Sequence, residues 1–250
     1  MLKKVIVALG LLLLISSCGG GGGSDSTGFF TVNGATRLMP QAPSRLVELP
    51  DLSNISPSSV KMKVYALYLG DNNNCTDIQL NYDNGESVSY VEFADNPVLF
   101  DSDTAAGTYG CMVIKASDII KFTPNAEAVA AITECGAEEY GHDIFWYDGG
   151  ENSEEWYDPS TGEVVAAEGN RANHVEQDVY LYFPYDPDAA LSANSKLSPN
   201  QIIPMSSKIE IVEGGATSGT LMIDFTNKVE QDMGYCTLDS PEVEFTLSVE

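Results

Sequence analysis

The 250-residue chain predicts a mainly β fold, an antiparallel β-sandwich with Greek-key connections and one short helix, on three observations. Short segments alternate apolar and polar side chains with the period of two that sends one face of a strand inward. Clusters of Gly, Pro, Asn and Asp separate those segments, as turns require. One stretch alone breaks the period, and no fixed internal repeat of the kind that builds a propeller or solenoid recurs.

Taken in chain order, "VKMKVYALYL" (60–69) sets Val60, Met62, Val64, Ala66 and Tyr68 on one face with Lys61 and Lys63 opposite, which reads as a strand. "DIQLNYDNGESVSYVEF" (77–93) follows with Ile78, Leu80 and Tyr82, then Asn84 and Gly85, then Val88 and Tyr90. That order predicts a hairpin closed by an Asn-Gly type I′ turn. Further strands are read in "GTYGCMVIKA" (107–116), "DVYLYF" (178–183), "SKIEIV" (207–212), "GTLMIDFTNKV" (219–229) and "VEFTLSV" (243–249). The exception is "TPNAEAVAAITECG" (123–136), where Thr123 as N-cap, Pro124 at the first helical position, an alanine-rich body and Gly136 as a stop predict the helix. "SPSS" at 56–59 marks the entry to the core domain, and "YDPDAALSANSKLSPNQIIP" at 185–204 reads as a long loop or insert where the chain could divide. One domain is preferred, because the strands after it would make a meagre core alone.

The N-terminus has a different logic. Lys3 and Lys4 precede an apolar run from Val5 to Ile15 and then small residues, the layout of a secretory leader. Eleven residues at about 1.5 Å each cover only about half of a ~30 Å hydrocarbon core, so a spanning helix is not expected. "ISSC" (15–18) resembles the lipobox of bacterial lipoproteins, a branched apolar residue and two small ones before a Cys. The resemblance implies cleavage between Ser17 and Cys18, diacylglyceryl attachment to the Cys18 sulfur, an acylated amine and hence a lasting membrane anchor. Gly19, where an Asp would signal inner-membrane retention, implies the outer membrane. The expected organisation is therefore a signal peptide (1–17), the lipidated Cys and a Gly-rich tether (18–35), and a β-rich domain (36–250). "GGGGGSDSTG" supplies no core-forming side chain, and it is not a phosphate loop, since no strand precedes it and no Lys follows.

The formal net charge is −25, and loss of Lys3 and Lys4 with the leader takes it to −27. Such a field repels nucleic acid, which is excluded as a partner class; solubility, a divalent cation or a basic partner remain. The five cysteines become an even four once Cys18 carries lipid. In an oxidising compartment Cys75, Cys111, Cys135 and Cys236 form two disulfides. Four cysteines permit three connectivities and sequence does not choose among them; the favoured one joins Cys75 to Cys111 and Cys135 to Cys236. Zinc is disfavoured by wide spacings and the absence of any CxxC pair.

Few residues carry chemistry. His142 and His174 lie outside any HExxH or nucleophile motif and read as solvated, and no GxSxG or P-loop is present, so no catalytic residue is assigned. "FWYDGGENSEEWYDPSTGE" (145–163) holds both tryptophans and repeats the triplet WYD. If its triplets pair in a hairpin, Trp146, Tyr147, Trp156 and Tyr157 form an aromatic ligand platform, while Asp148, Glu151 and Asp158 offer calcium ligands. The plainer alternative is a hairpin whose aromatics cap the core edge. A second calcium candidate is "GDNNNCTD" (70–77), through Asp71, Asn73 and Asp77. An EF-hand is rejected there, since Thr76 stands where the loop needs Gly and Tyr82 where it needs Glu; Asx-turn chemistry is the alternative use.

"GTY" (107–109) ahead of an alternating strand, with "SGTLMIDF" (218–225), resembles prealbumin-like and Ig-like β-sandwich modules of bacterial lipoproteins. The resemblance implies the fold class and transfers no functional residue. The reading is an outer-membrane lipoprotein with a binding or structural module, partnered by the membrane and by an envelope glycan or protein. No cofactor beyond calcium is considered. The alternatives are an envelope glycan hydrolase working through a carboxylate pair, and a calcium-stabilised adhesion module.

Overall fold

A computed structural model describes residues 26–38, 54–85, 87–143, 156–157, 164–165, 176, 178–186, 200–232 and 234–249. Its strands, in chain order, are β1 (Thr27–Arg37), β2 (Pro57–Met62), β3 (Val64–Gly70), β4 (Gln79–Asp83), β5 (Val91–Glu92), β6 (Val98–Ala105), β7 (Gly107–Tyr109), β8 (Cys111–Ser117) and β9 (Ile119–Pro124). The helix α1 (Ala126–Ala131) follows, then β10 (Tyr140–Asp143), β11 (Trp156–Tyr157), β12 (Val164–Val165), β13 (Asp178–Pro184) and β14 (Asn200–Ile202). The chain continues through β15 (Ile209–Ile211), β16 (Ala216–Asp224), β17 (Val229–Asp232), β18 (Tyr235–Leu238) and β19 (Glu242–Val249). No helix among the described residues is long and apolar enough to cross a membrane.

Three sheets carry the fold, in the orders β19-β16-β1-β6, β10-β9-β2-β5 and β14-β13-β8-β3-β4. The fold is mainly β, as read from the sequence, and the pairing is antiparallel except where β1 runs parallel to β16 and β13 to β14. The sheets share one core. Phe30, Val32, Leu221, Ile223 and Phe245 of the first sheet, Met62, Ile120 and Phe122 of the second, and Leu67, Met112, Ile114, Leu181 and Phe183 of the third form a single buried cluster. Aromatic contacts bridge the layers, with Phe183 and Phe245 centroids 5.8 Å apart and Tyr82 edge-on to Phe100 at 5.8 Å. The cluster holds residues from both sides of 185–204, and β16 and β19 pair onto β1 rather than closing on themselves.

Several expectations need correction. Residues 27–35, assigned to the tether, belong to β1, which lies between β16 and β6 and buries Phe30 and Val32. "TGFFTVNGATR" alternates correctly, but its glycines mask the signal, and the core begins there rather than at "SPSS". Segment 60–69 is two strands in two sheets, broken at Lys63. Between Val64 and Ala66 the register against β8 shifts, so Tyr65 is an extra residue. A one-residue bulge exchanges the faces of everything beyond it. Leu67 and Leu69 consequently enter the core, and Tyr68 packs against a separate small cluster around Cys75, Cys111, Val113 and Tyr182.

The Asn84-Gly85 hairpin does not form. A type I′ turn needs positive φ at both central residues, and only Gly85 has it, at 76°. Asn84 instead donates its side-chain amide to the carbonyls of Val64 and Leu99 at 3.0 and 3.1 Å. The chain then leaves the third sheet, and β5 pairs with β2 of the second. In the helix the cap is Asn125, whose Oδ1 accepts from the Ala128 N–H at 2.8 Å. Thr123 and Pro124 are still in β9, paired with β2, so Thr123 cannot cap.

Both disulfides join the favoured pairs. Cys75–Cys111 closes 36 residues with Cα atoms 5.2 Å apart, and Cys135–Cys236 closes 101 residues at 4.9 Å.

Candidate functional site

Loop 71–78, between β3 and β4, is exposed yet heavily constrained. Cys75 sits in the left-handed region (φ 58°), its N–H donates to the Asn72 carbonyl at 3.2 Å, and its sulfur is tied to buried Cys111. The Asp77 carboxylate accepts from the backbone N–H groups of Asp71 and Asn72 at 3.2 and 3.1 Å, closing the loop on its own start, and Asn74 Oδ1 accepts from the Thr76 N–H at 3.3 Å, which is Asx-turn chemistry. The opposite wall is the β7–β8 junction. A Cβ on Gly110 would collide with Asn73 Oδ1 and lie 2.9 Å from the Asp71 carbonyl, so only glycine lets the loop pack this closely.

Beside the loop lies a groove of about 270 Å³, lined by Asp71, Asp77, Gln79, Leu80, Asn81 and Tyr109 among others. It opens to solvent through Asp71, Gln79 and Leu80, all exposed. Its sides are held from behind. Asn81 donates its amide N–H groups to Ser102 and Thr104 of β6 at 2.9 and 3.1 Å, and the Tyr109 hydroxyl donates to the Ala105 carbonyl at 2.7 Å. Burial, and then the nearby Asp71 carboxylate, push the Tyr109 phenol above its ordinary pKa, so it is a neutral donor and aromatic surface. Among the described residues the lining contains two carboxylates and no Lys, Arg or His.

A second polar cluster occupies the outside of the bend at Lys63. The Lys63 ammonium donates to Glu176 at 2.7 and 3.0 Å, the Tyr65 hydroxyl also donates to Glu176, and the Tyr90 hydroxyl lies 3.4 Å from it. Lys63 and Lys121 face the Tyr90 ring at 4.7 and 4.6 Å from its centroid. Lys61 and Lys121 share Glu139, at 2.7 and 3.2 Å, and Lys115 pairs with Asp178 at 2.7 Å. Four of the chain's twelve basic residues thus gather on one ribbon, each matched to an acid. Saturated pairs leave little charge for a ligand, and the cluster orders the bend.

Its titration sets a stability window. Burial pushes Glu176 up, but hydrogen bonds from Lys63 and Tyr65 outweigh it and hold the carboxyl below its ordinary value of 4.5. Glu139 is lowered chiefly by its hydrogen bond from Lys61. Carboxyls depressed by folding contribute stability above their unfolded pKa that is lost as pH falls through the folded one. Burial drives Tyr65 upward and Tyr90 up to about 12. Above the ordinary phenol value of 10 the folded chain therefore holds more protons than the unfolded one, and stability falls as pH rises. The urea midpoint is expected to be flat between these limits and to decline below about pH 4.5 and above about pH 10; an undiminished midpoint at pH 11 would contradict the tyrosine assignment.

Of the residues singled out in the sequence, Asp71, Asn73 and Asp77 come together in the constrained loop. Trp146, Tyr147, Asp148, Glu151 and Asp158 lie outside the described residues, as does His174. Trp156 and Tyr157 are in β11, paired with Val165 and Val164 of β12. His142, read as a solvated surface residue, is instead 5% exposed, with Nδ1 3.0 Å from the Thr237 hydroxyl, because β10 is covered by β18. Among the described residues no group of three or more His, Cys, Asp or Glu is placed to hold a metal ion. Tyr109, Gln79 and Asn81 were not singled out, although the Cys75–Cys111 pairing would have pointed to them by bringing loop 71–78 against "GTYGC". Compared with protein-family models, with curated proteins and with solved structures, the chain matches none.

Proposed function

We propose that the protein is an exported lipoprotein of the bacterial outer membrane, anchored through Cys18, whose disulfide-stapled β-sandwich is a binding module of the cell envelope. The observation that carries the reading is the lysine pair, apolar run and "ISSC" box in one leader. Two disulfides in the folded part agree with export to an oxidising compartment. The described fold begins at β1, soon after Cys18, so the glycine-rich segment holds the domain within a short tether's reach of the membrane surface.

A polar groove on a constrained loop, with no nucleophile motif in the chain, supports binding over hydrolysis. Metabolic labelling with palmitate tests the anchor. The wild type is expected to incorporate label, to accumulate as an uncleaved precursor under globomycin, and to fractionate with the outer membrane. Cys18→Ser is expected to take up no label, and palmitate incorporation by that variant would overturn the assignment.

A further inference from the structure

We infer that the groove beside loop 71–78 binds an uncharged, hydroxyl-rich ligand: one sugar ring of a glycan. The inference rests on the binding-module reading above and adds the ligand class.

Charge narrows the ligand first. Among the described residues Asp71 and Asp77 line the groove without a countering cation, in a chain of net charge −25, so phosphate, sulfate and carboxylate ligands are repelled. A metal ion needs several converging oxygen donors. Both Asp77 oxygens already accept loop N–H groups, and no third carboxylate or His joins Asp71 and Asp77 among the described residues. A neutral polar ligand fits what remains.

The donor and acceptor inventory then selects hydroxyls. A carboxylate only accepts, whereas a side-chain amide both donates and accepts. The Asn81 N–H groups are spent on Ser102 and Thr104, so Asp71 and the Asn81 Oδ1 accept while Gln79 both donates and accepts, and a hydroxyl, which also does both, can meet all three. The same groove offers apolar surface in the Tyr109 ring and in Leu80, which is 55% exposed. Sugar rings carry C–H faces as well as hydroxyl rims, and an aromatic ring with one polar end is suited to such a mixed surface.

Size and stiffness agree. At about 270 Å³ the groove falls just below the roughly 300 Å³ at which pockets for drug-sized ligands begin, enough for one ring with the rest of a glycan outside. The Cys75–Cys111 bond and the Gly110 contact hold loop 71–78 in place, and the Tyr109–Ala105 bond fixes the Tyr109 ring, before any ligand arrives. Pre-ordering of that kind removes part of the entropic cost of binding.

The test is NMR titration of the intact mature protein with maltose, cellobiose and diacetylchitobiose, with co-sedimentation on insoluble cellulose and chitin as a second arm. At least one disaccharide is expected to give saturable amide shifts centred on Gln79, Leu80 and Tyr109. Gln79→Ala, which alters only an exposed side chain, and Tyr109→Leu are each expected to weaken that binding at least tenfold. Co-sedimentation identifies a polymer as the source, and shifts without it identify a free sugar; both support the inference. It is overturned if none of the three disaccharides shifts the groove, if both variants bind as the wild type does, or if calcium or free arginine shifts these residues and the sugars do not. Palmitate labelling of the same samples separates the two readings. Labelled protein that ignores sugars removes the ligand assignment alone, and unlabelled protein that binds them removes the anchor alone.

Discussion

Replacing Cys135 and Cys236 together by alanine is expected to cost about 4 to 5 kcal/mol, the chain-entropy value for a loop of 101 residues. Cys135 follows α1, Cys236 lies in β18, and both sulfur-bearing side chains are in the main core, 5% exposed. The bond fastens the helix and β10 to the C-terminal strands. At about 2 to 4 °C per kcal/mol for a domain of this size, calorimetry should record a melting temperature lower by roughly 8 to 20 °C. The Cys75→Ala/Cys111→Ala pair closes 36 residues and should cost slightly less, about 4 kcal/mol. A loss under about 1 kcal/mol for the 135–236 pair would show that the unfolded chain is not constrained as the model requires.

Phe183→Ala carries the other large expected effect, about 3 to 5 kcal/mol. Phe183 is fully buried, opposite Met112 in the β13–β8 ladder, and its ring meets Phe245 of the first sheet. Truncation would remove an aromatic from the interface between two sheets that cannot approach to refill it, because their spacing is held by many other side chains. Urea unfolding should show a lower midpoint with an unchanged slope, since the surface exposed on unfolding is nearly the same. Phe183→Leu, which leaves a smaller void, is expected to lose less than half as much.

The secondary structure of this chain was legible where a strand keeps one register from end to end. "DVYLYF", "SKIEIV" and "VEFTLSV" all appear as strands near their expected bounds. It misled where a local signal competed with a distant partner. Asn84-Gly85 looks like a hairpin turn, but the carbonyls of Val64 and Leu99 claim the Asn84 side chain. Thr123-Pro124 looks like a helix start, but Pro57 and Ser59 of β2 hold it in β9. Residues 27–35 of "TGFFTVNGATR" read with the glycine-rich tether, because their pairing partner in β16 lies about 190 residues downstream.

The candidate site was half legible. Asp71, Asn73 and Asp77 stand out as a polar loop in the sequence, while Tyr109 and Asn81 acquire meaning only once the loop is laid against them. The same holds at Lys63, whose partner Glu176 is 113 residues away.

Local chemistry alone therefore determined the β class, the net charge of −25 and Cys75, Cys111, Cys135 and Cys236 as the candidates for pairing, and it is the whole basis of the proposed leader and Cys18 anchor. Each depends on neighbours in sequence or on simple counting. The tertiary structure alone decided which sheet each half of 60–69 joins, which face of β3 is buried, where the N-terminal strand inserts, and which side chains line the groove. These depend on register, and register is a property of two strands at once. A single extra residue such as Tyr65 reverses every side chain beyond it, and only the partner strand reveals that it is extra.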